Sequence, residues 1–161
     1  MLKYLKNAAF SAFFALFSLG LVMFSVFAGS KPNEKIEKFY SLINKSQQCL
    51  DSVSDGIYIN WRNALYNNAF CGDTELAIER AIKENGDSLK IIEENEPLIN
   101  GVYKEIKFYY LAKDINSVFS AYINYYEFII NVGGSLKMFE ENRKSFKNTL
   151  STALDNLYKR I

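Results

Sequence analysis

Apolar residues recur three or four positions apart along most of the chain beyond residue 32, which is the spacing of one face of an α-helix. Proline and glycine, which most often interrupt helices, are sparse, with two and eight occurrences. The pattern therefore predicts an all-α, up-and-down bundle of four to five helices. The helical segments are expected at about 33–53, 57–70, 73–96, 97–113, 115–131 and 135–161, and 73–96 and 97–113 form one helix if Pro97 only kinks it.

The boundaries between these segments depend on a few residues. Ser54, Asp55 and Gly56 carry a turn signal, and Asp73 is placed to cap the helix that follows it. Gly86 and Pro97 each interrupt an apolar stripe. At these two positions the helix is either broken or only kinked.

A longer apolar run, residues 8–28, precedes the predicted bundle and follows Lys3 and Lys6. A basic start followed by an apolar run is typical of a signal peptide. The bundle, residues 29–161, would then be a single exported helical domain. A run of this length can also cross a bilayer, so an uncleaved membrane anchor is the alternative.

The end of the apolar run favours cleavage. Val26 and Ala28 stand at the −3 and −1 positions of a possible cut between Ala28 and Gly29. The expected location is the periplasm or the exterior, in a bacterium. If the run is retained, the domain is anchored on the outer side of the inner membrane, and residues 8–28 are its only membrane contact.

Charge changes the list of expected partners. Of the 19 basic residues two lie in residues 1–28, which leaves 17 against 18 acidic residues and a net charge of −1 for the domain. Nucleic-acid binding normally needs a basic surface, so no nucleic-acid partner is expected. Another envelope or exported protein is the expected partner.

The two cysteines, Cys49 and Cys71, are predicted to form a disulfide, because paired cysteines of exported domains are usually bridged. Cα atoms of a disulfide lie within about 7 Å of each other. A straight helix through this region would hold the two cysteines about 33 Å apart. The bridge therefore requires a chain reversal between the two cysteines, for which Ser54–Gly56 supply a turn signal, and two separate buried thiols are the alternative.

The absence of histidine narrows the possible chemistry. Without it there is no Ser-His or Cys-His nucleophile pair and no histidine-based zinc site. Phosphate-loop and dinucleotide-binding glycine motifs are also absent. No cofactor, no metal and no catalytic residue is predicted.

Tyrosines concentrate in one part of the chain and form a candidate binding surface, because tyrosine is enriched where proteins bind partners. The candidate residues are Tyr103, Tyr109, Tyr110, Tyr122, Tyr125 and Tyr126. Glu127 is the only charge in an otherwise apolar stretch and is a candidate buried charge. Arg143 stands where the apolar pattern of the last helix calls for an apolar residue.

The function expected from these observations is non-catalytic binding of another envelope protein, of an interaction, inhibitor or immunity type. The first alternative is a carrier of a small apolar ligand in a tyrosine-lined pocket. The second is a hydrolase that uses paired carboxylates, for which the chain offers clustered glutamates but no sign of a cleft.

Overall fold

The computed structural model describes residues 32–161, and within that range the chain is helical with no strand. The five α-helices are α1 (Pro32–Tyr66), α2 (Thr74–Glu84), α3 (Gly86–Ile106), α4 (Ala112–Ile130) and α5 (Leu136–Tyr158). A short turn, Ala69–Gly72, joins α1 to α2, and Phe70 and Cys71 within it have left-handed backbone angles. The prediction of an all-α protein is confirmed.

Residues Lys35–Ile161 form one compact unit, and this unit is the bundle. The apolar run 8–28 and the predicted cleavage site at Ala28 and Gly29 lie outside the described residues. Among the helices of residues 32–161, none combines the length and the apolar character needed to span a bilayer.

Helix α1 is continuous over 35 residues, so the predicted turn at Ser54–Gly56 is wrong. Ser54 directs its hydroxyl back to the carbonyl oxygen of Asp51, 3.0 Å away, a bond that an α-helix accommodates. Gly56 supplies room for a neighbouring element instead of a turn. Local turn signals are therefore overruled here by tertiary packing.

The segment made of α2 and α3 runs antiparallel to α1. Lys35 near the start of α1 pairs with Glu105 near the end of α3 at 2.8 Å. Near the end of α1, Asn60 donates a hydrogen bond to Glu84 at the end of α2.

Helix α5 is also antiparallel to α1, and α4 lies beside both. The ring of Tyr40 is 5.4 Å from that of Tyr158, and further along α1 the ring of Trp61 is 5.7 Å from that of Phe139. Phe128 of α4 stacks on Phe139 with the centroids 5.0 Å apart. The four legs of the bundle, α1, α2 with α3, α4, and α5, thus alternate in direction around one apolar core.

The junction between α2 and α3 is held against α1 by Asn85. Its side-chain oxygen accepts a hydrogen bond from Ser52 at 2.9 Å, and its amide nitrogen donates to the carbonyl oxygen of Ala81, also at 2.9 Å. A Cβ atom on Gly56 would lie only 2.6 Å from that nitrogen. Gly56 therefore allows the junction to approach α1 closely.

The other boundary residues have separate outcomes. Asp73 caps α2 by accepting a hydrogen bond from the Leu76 amide at 3.0 Å, which confirms the predicted cap. The helix is broken at Asn85, immediately before Gly86, so α2 and α3 are separate helices. Pro97 lies inside α3 without ending it.

The close contact at Gly56 predicts that replacing Gly56 and Gly101 by alanine changes the free energy of unfolding in opposite directions. Alanine in place of a helical glycine normally stabilises a helix by about 1 kcal/mol. A Cβ atom on Gly101 would meet no other side chain or helix within 4 Å, so we expect Gly101→Ala to give that gain. Gly56→Ala displaces Asn85 from two hydrogen bonds, so we expect a net loss of about 1 kcal/mol.

Urea unfolding of the two variants beside the wild type measures this difference. Equal stabilisation by both substitutions would contradict the described contact between α1 and the α2–α3 junction.

Candidate functional site

A stripe of polar side chains on α1 faces α4 and α5 across the core, and we call it the polar seam. Successive members are three or four residues apart, except for the adjacent pair Ser54 and Asp55, so they share one side of the helix. They are Gln47, Asp51, Ser54, Asp55 and Tyr58. Each of them interacts with a side chain of α4 or α5.

The centre of the polar seam is a three-residue contact around Tyr125 of α4. The hydroxyl of this fully buried tyrosine donates to Asp51 Oδ1 at 2.9 Å, and Ser54 Oγ lies 2.9 Å from the same hydroxyl. Lys147 Nζ of α5 is 3.0 Å from the other Asp51 oxygen. Burial raises the pKa of Tyr125 above its ordinary value, and the nearby Asp51 charge raises it further, so the hydroxyl stays protonated as a donor.

Arg143 of α5 is the second contact of the polar seam. Its guanidinium forms an ion pair with Asp55 and lies 4.6 Å from the centre of the Tyr58 ring. Burial lowers the pKa of Arg143, whereas the Asp51 charge opposes that shift. Its Nε is buried without a hydrogen-bond partner. Arg143 thus occupies the position where the sequence pattern calls for an apolar residue, and Asp55 on α1 is its counter-ion.

Polar contacts also continue to both sides of this centre. Gln47 donates to Ser151 Oγ of α5 at 2.6 Å, and Asn95 of α3 donates to Ser46 Oγ at 3.1 Å. Buried hydrogen bonds of this kind constrain how helices align, because any shift in register leaves polar groups unpaired.

Tyr122 differs from its neighbour Tyr125. It is fully buried, and its hydroxyl has no hydrogen-bond partner of normal geometry. Burial raises the pKa of Tyr122 to about 12, although the nearby Ser46 hydroxyl partly offsets the effect. Tyr122 therefore contributes to the core mainly through its ring.

The polar seam holds its charged groups in structural contacts. Asp51 and Asp55 each face a cation across the helix interface, which compensates the charge of both carboxylates. Among residues 32–161, no three acidic or thiol side chains come together in an arrangement that fits a metal ion. The arrangement is suited to fixing the alignment of α1, α4 and α5.

The structure separates the six candidate tyrosines. Tyr122 and Tyr125 are fully buried, so they cannot belong to an exposed binding surface, and this part of the prediction is corrected. Tyr103 stacks on Phe119 with centroids 3.8 Å apart and donates to Asn116. Tyr109 and Tyr126 are half-buried, and only Tyr110 is largely exposed, at 63%.

Two further predictions need correction. Glu127 is exposed, because it lies on the outer side of α4, so the prediction of a buried charge there is wrong. Arg143 of α5 is partly buried and pairs with Asp55. Cys49 and Cys71 are both free, so the predicted disulfide is absent. Cys49 lies within the continuous α1, which rises about 25 Å from there to Tyr66, and this geometry keeps the two thiols apart.

One end of the bundle exposes apolar side chains that the sequence pattern did not single out, and we call it the distal patch. It comprises Leu65, Tyr66, Leu76, Ile130 and Met138, each between 49% and 74% exposed. They come from the end of α1, the start of α2, the end of α4 and the start of α5. Residue type alone could not identify them, because their exposure depends on where the helices end.

The fold and the polar seam define an all-α helical bundle with a hydrogen-bonded interior stripe. No family model matches the chain, and no curated protein or solved structure gives a significant match.

The two buried tyrosines provide a matched test of the polar seam. Tyr125→Phe removes a hydroxyl bonded to Asp51, so we expect a loss of about 1–2 kcal/mol in the free energy of unfolding. Tyr122→Phe removes a buried hydroxyl without a normal partner, so we expect no loss or a small gain.

Urea unfolding of both variants at pH 7 measures the effect with the same ring retained in each. Equal destabilisation by the two substitutions would contradict the described hydrogen bonding.

Proposed function

We propose that the protein is exported by way of residues 1–28 and binds another envelope protein through the distal patch, without catalysis. The observation that carries this proposal is the exposure of Leu65, Tyr66, Leu76, Ile130 and Met138 at one end of the bundle. Exposed apolar side chains grouped in this way are typical of surfaces that bind a partner.

The backbone beside the distal patch supports the proposal. Asn68, Phe70 and Cys71 have φ angles of 50°, 55° and 55°, in the left-handed region that non-glycine residues rarely adopt. This conformation costs Phe70 and Cys71 roughly 1 kcal/mol or more each, whereas asparagine adopts it more readily, and strained backbone of this kind is concentrated at functional sites. The connection from α1 to α2 is thus held in a costly conformation at this end.

The chemistry of the chain also favours binding over catalysis. The sequence contains no histidine, and the carboxylates of the polar seam are engaged in ion pairs across the helix interface. A bundle fixed by buried hydrogen bonds presents its ends as rigid surfaces, which lowers the entropic cost of binding. An inhibitor or immunity protein would use such a surface against its target.

Affinity capture of the full chain from the envelope of its own cells tests the proposal. Tyr66→Ser combined with Met138→Ser removes two exposed apolar side chains, and Leu98→Ser is the control because Leu98 is exposed on α3. We expect wild type and control to retain one partner in about equimolar amount. The double variant should lose that partner by about 30-fold, the effect of losing about 2 kcal/mol at a binding surface.

Quantitative mass spectrometry of the retained proteins gives the readout, and thermal unfolding confirms that all three chains are folded. Retention of the same partner by the double variant at wild-type level would contradict binding through the distal patch.

A further inference from the structure

The opposite end of the bundle carries exposed aromatic rings among lysines, and we call this surface the proximal face. It comprises Phe108, Tyr110, Tyr158, Lys107, Lys113 and Lys159. We propose that the proximal face rests on the surface of an anionic lipid bilayer. The proposal is independent of the protein partner proposed for the distal patch.

The aromatic side chains of the proximal face are unusually exposed. Phe108 is 85% exposed, Tyr110 63% and Tyr158 64%. Phe108 and Tyr110 stand in the connection between α3 and α4, and Tyr158 is the last residue of α5. Aromatic rings at such positions are favoured at the boundary between water and lipid, where the ring enters the interface.

The α3–α4 connection and the end of α5 lie at the same end of the bundle as the start of α1. The Lys35–Glu105 pair joins the first turns of α1 to the end of α3, and Tyr40 contacts Tyr158. An ion pair between Arg160 and Asp114 joins the end of the chain after α5 to the start of α4. Three separate parts of the chain therefore contribute to one end surface.

The charge of this end favours a negatively charged surface. Residues 104–114 and 158–160 contain five basic and two acidic residues. Both acids, Glu105 and Asp114, are paired with cations. The first turns of α1 add no net charge, since they carry two bases and two acids: Lys35, Lys38, Glu34 and Glu37. One further acid, Asp155, lies one turn before Lys159. Lysines can keep their ammonium groups at the lipid headgroups while neighbouring rings enter the interface.

Covalent continuity with the apolar run argues for lipid as the occupant. The run ends at Ala28, and α1 begins at Pro32, so only residues 29–31 intervene. Extended chain covers at most about 3.6 Å per residue, so these residues allow little separation. In a chain that keeps the run as a membrane anchor, the bundle is joined to it through the start of α1, which belongs to the same end as the proximal face.

Brominated-lipid quenching in the full chain tests the proposal. Phe108→Trp and Met138→Trp each add one tryptophan, on the proximal face and the distal patch, to the background of Trp61, which is 7% exposed. Both replaced side chains are exposed, so both variants should fold, and thermal unfolding checks this. Each is reconstituted in vesicles of phosphatidylcholine and phosphatidylglycerol, with and without bromine on the acyl chains.

We expect brominated lipid to lower the emission of the added tryptophan at least twofold in Phe108→Trp and to leave that of Met138→Trp nearly unchanged. Omitting phosphatidylglycerol should reduce the Phe108→Trp quenching at least twofold. Weak quenching of Phe108→Trp, as expected if this face binds a protein instead, would overturn the proposal. Equal quenching of both variants, or quenching indifferent to phosphatidylglycerol, would overturn it as well.

Discussion

The continuity of α1 is the constraint on which the rest of the structure depends. All other legs of the bundle pack against this one helix of 35 residues, and its polar seam fixes their alignment. Tyr125 and Lys147 meet at the single side chain of Asp51, which joins α4 and α5 to α1 at one level. A break at Ser54–Gly56 would move Asp51 relative to Asp55. The contacts of Asp51 with Tyr125 and Lys147 and the ion pair of Asp55 with Arg143 could then no longer align α4 and α5 on one helix.

The interior combines an apolar core with a narrow set of polar contacts that have different roles. Burial of Ile, Leu and Phe side chains provides most of the stability, at about 1.5–3 kcal/mol for each large side chain. The ion pair of Arg143 and Asp55 adds little net stability, because Asp55 is half exposed and solvent screens the pair, while partial burial of the cation carries a desolvation cost. Its effect is to disfavour other alignments of α5 on α1.

The sequence was sufficient to predict the helical class and the Asp73 cap, because apolar spacing and capping residues act locally. The sequence-based prediction failed at Gly56. This glycine allows the side chain of Asn85, which is distant in sequence, to approach α1, and it does not form a turn. The prediction also failed at Glu127 and at two tyrosines, because residue type does not determine which side of α4 faces the core. The sequence pattern showed that Arg143 stands at an apolar position of the last helix. It could not identify Asp55 as the partner of Arg143, because that pairing depends on how α1 and α5 pack together.

The state of the two cysteines tests the continuity of α1 most directly. With α1 unbroken, protein purified without reductant should carry two free thiols. Iodoacetamide should modify the exposed Cys71 in the native state and the buried Cys49 only after unfolding. Mass spectrometry of the digested protein resolves the two sites. A peptide in which Cys49 is disulfide-linked to Cys71 would contradict a continuous α1, because that bridge requires a chain reversal within the helix.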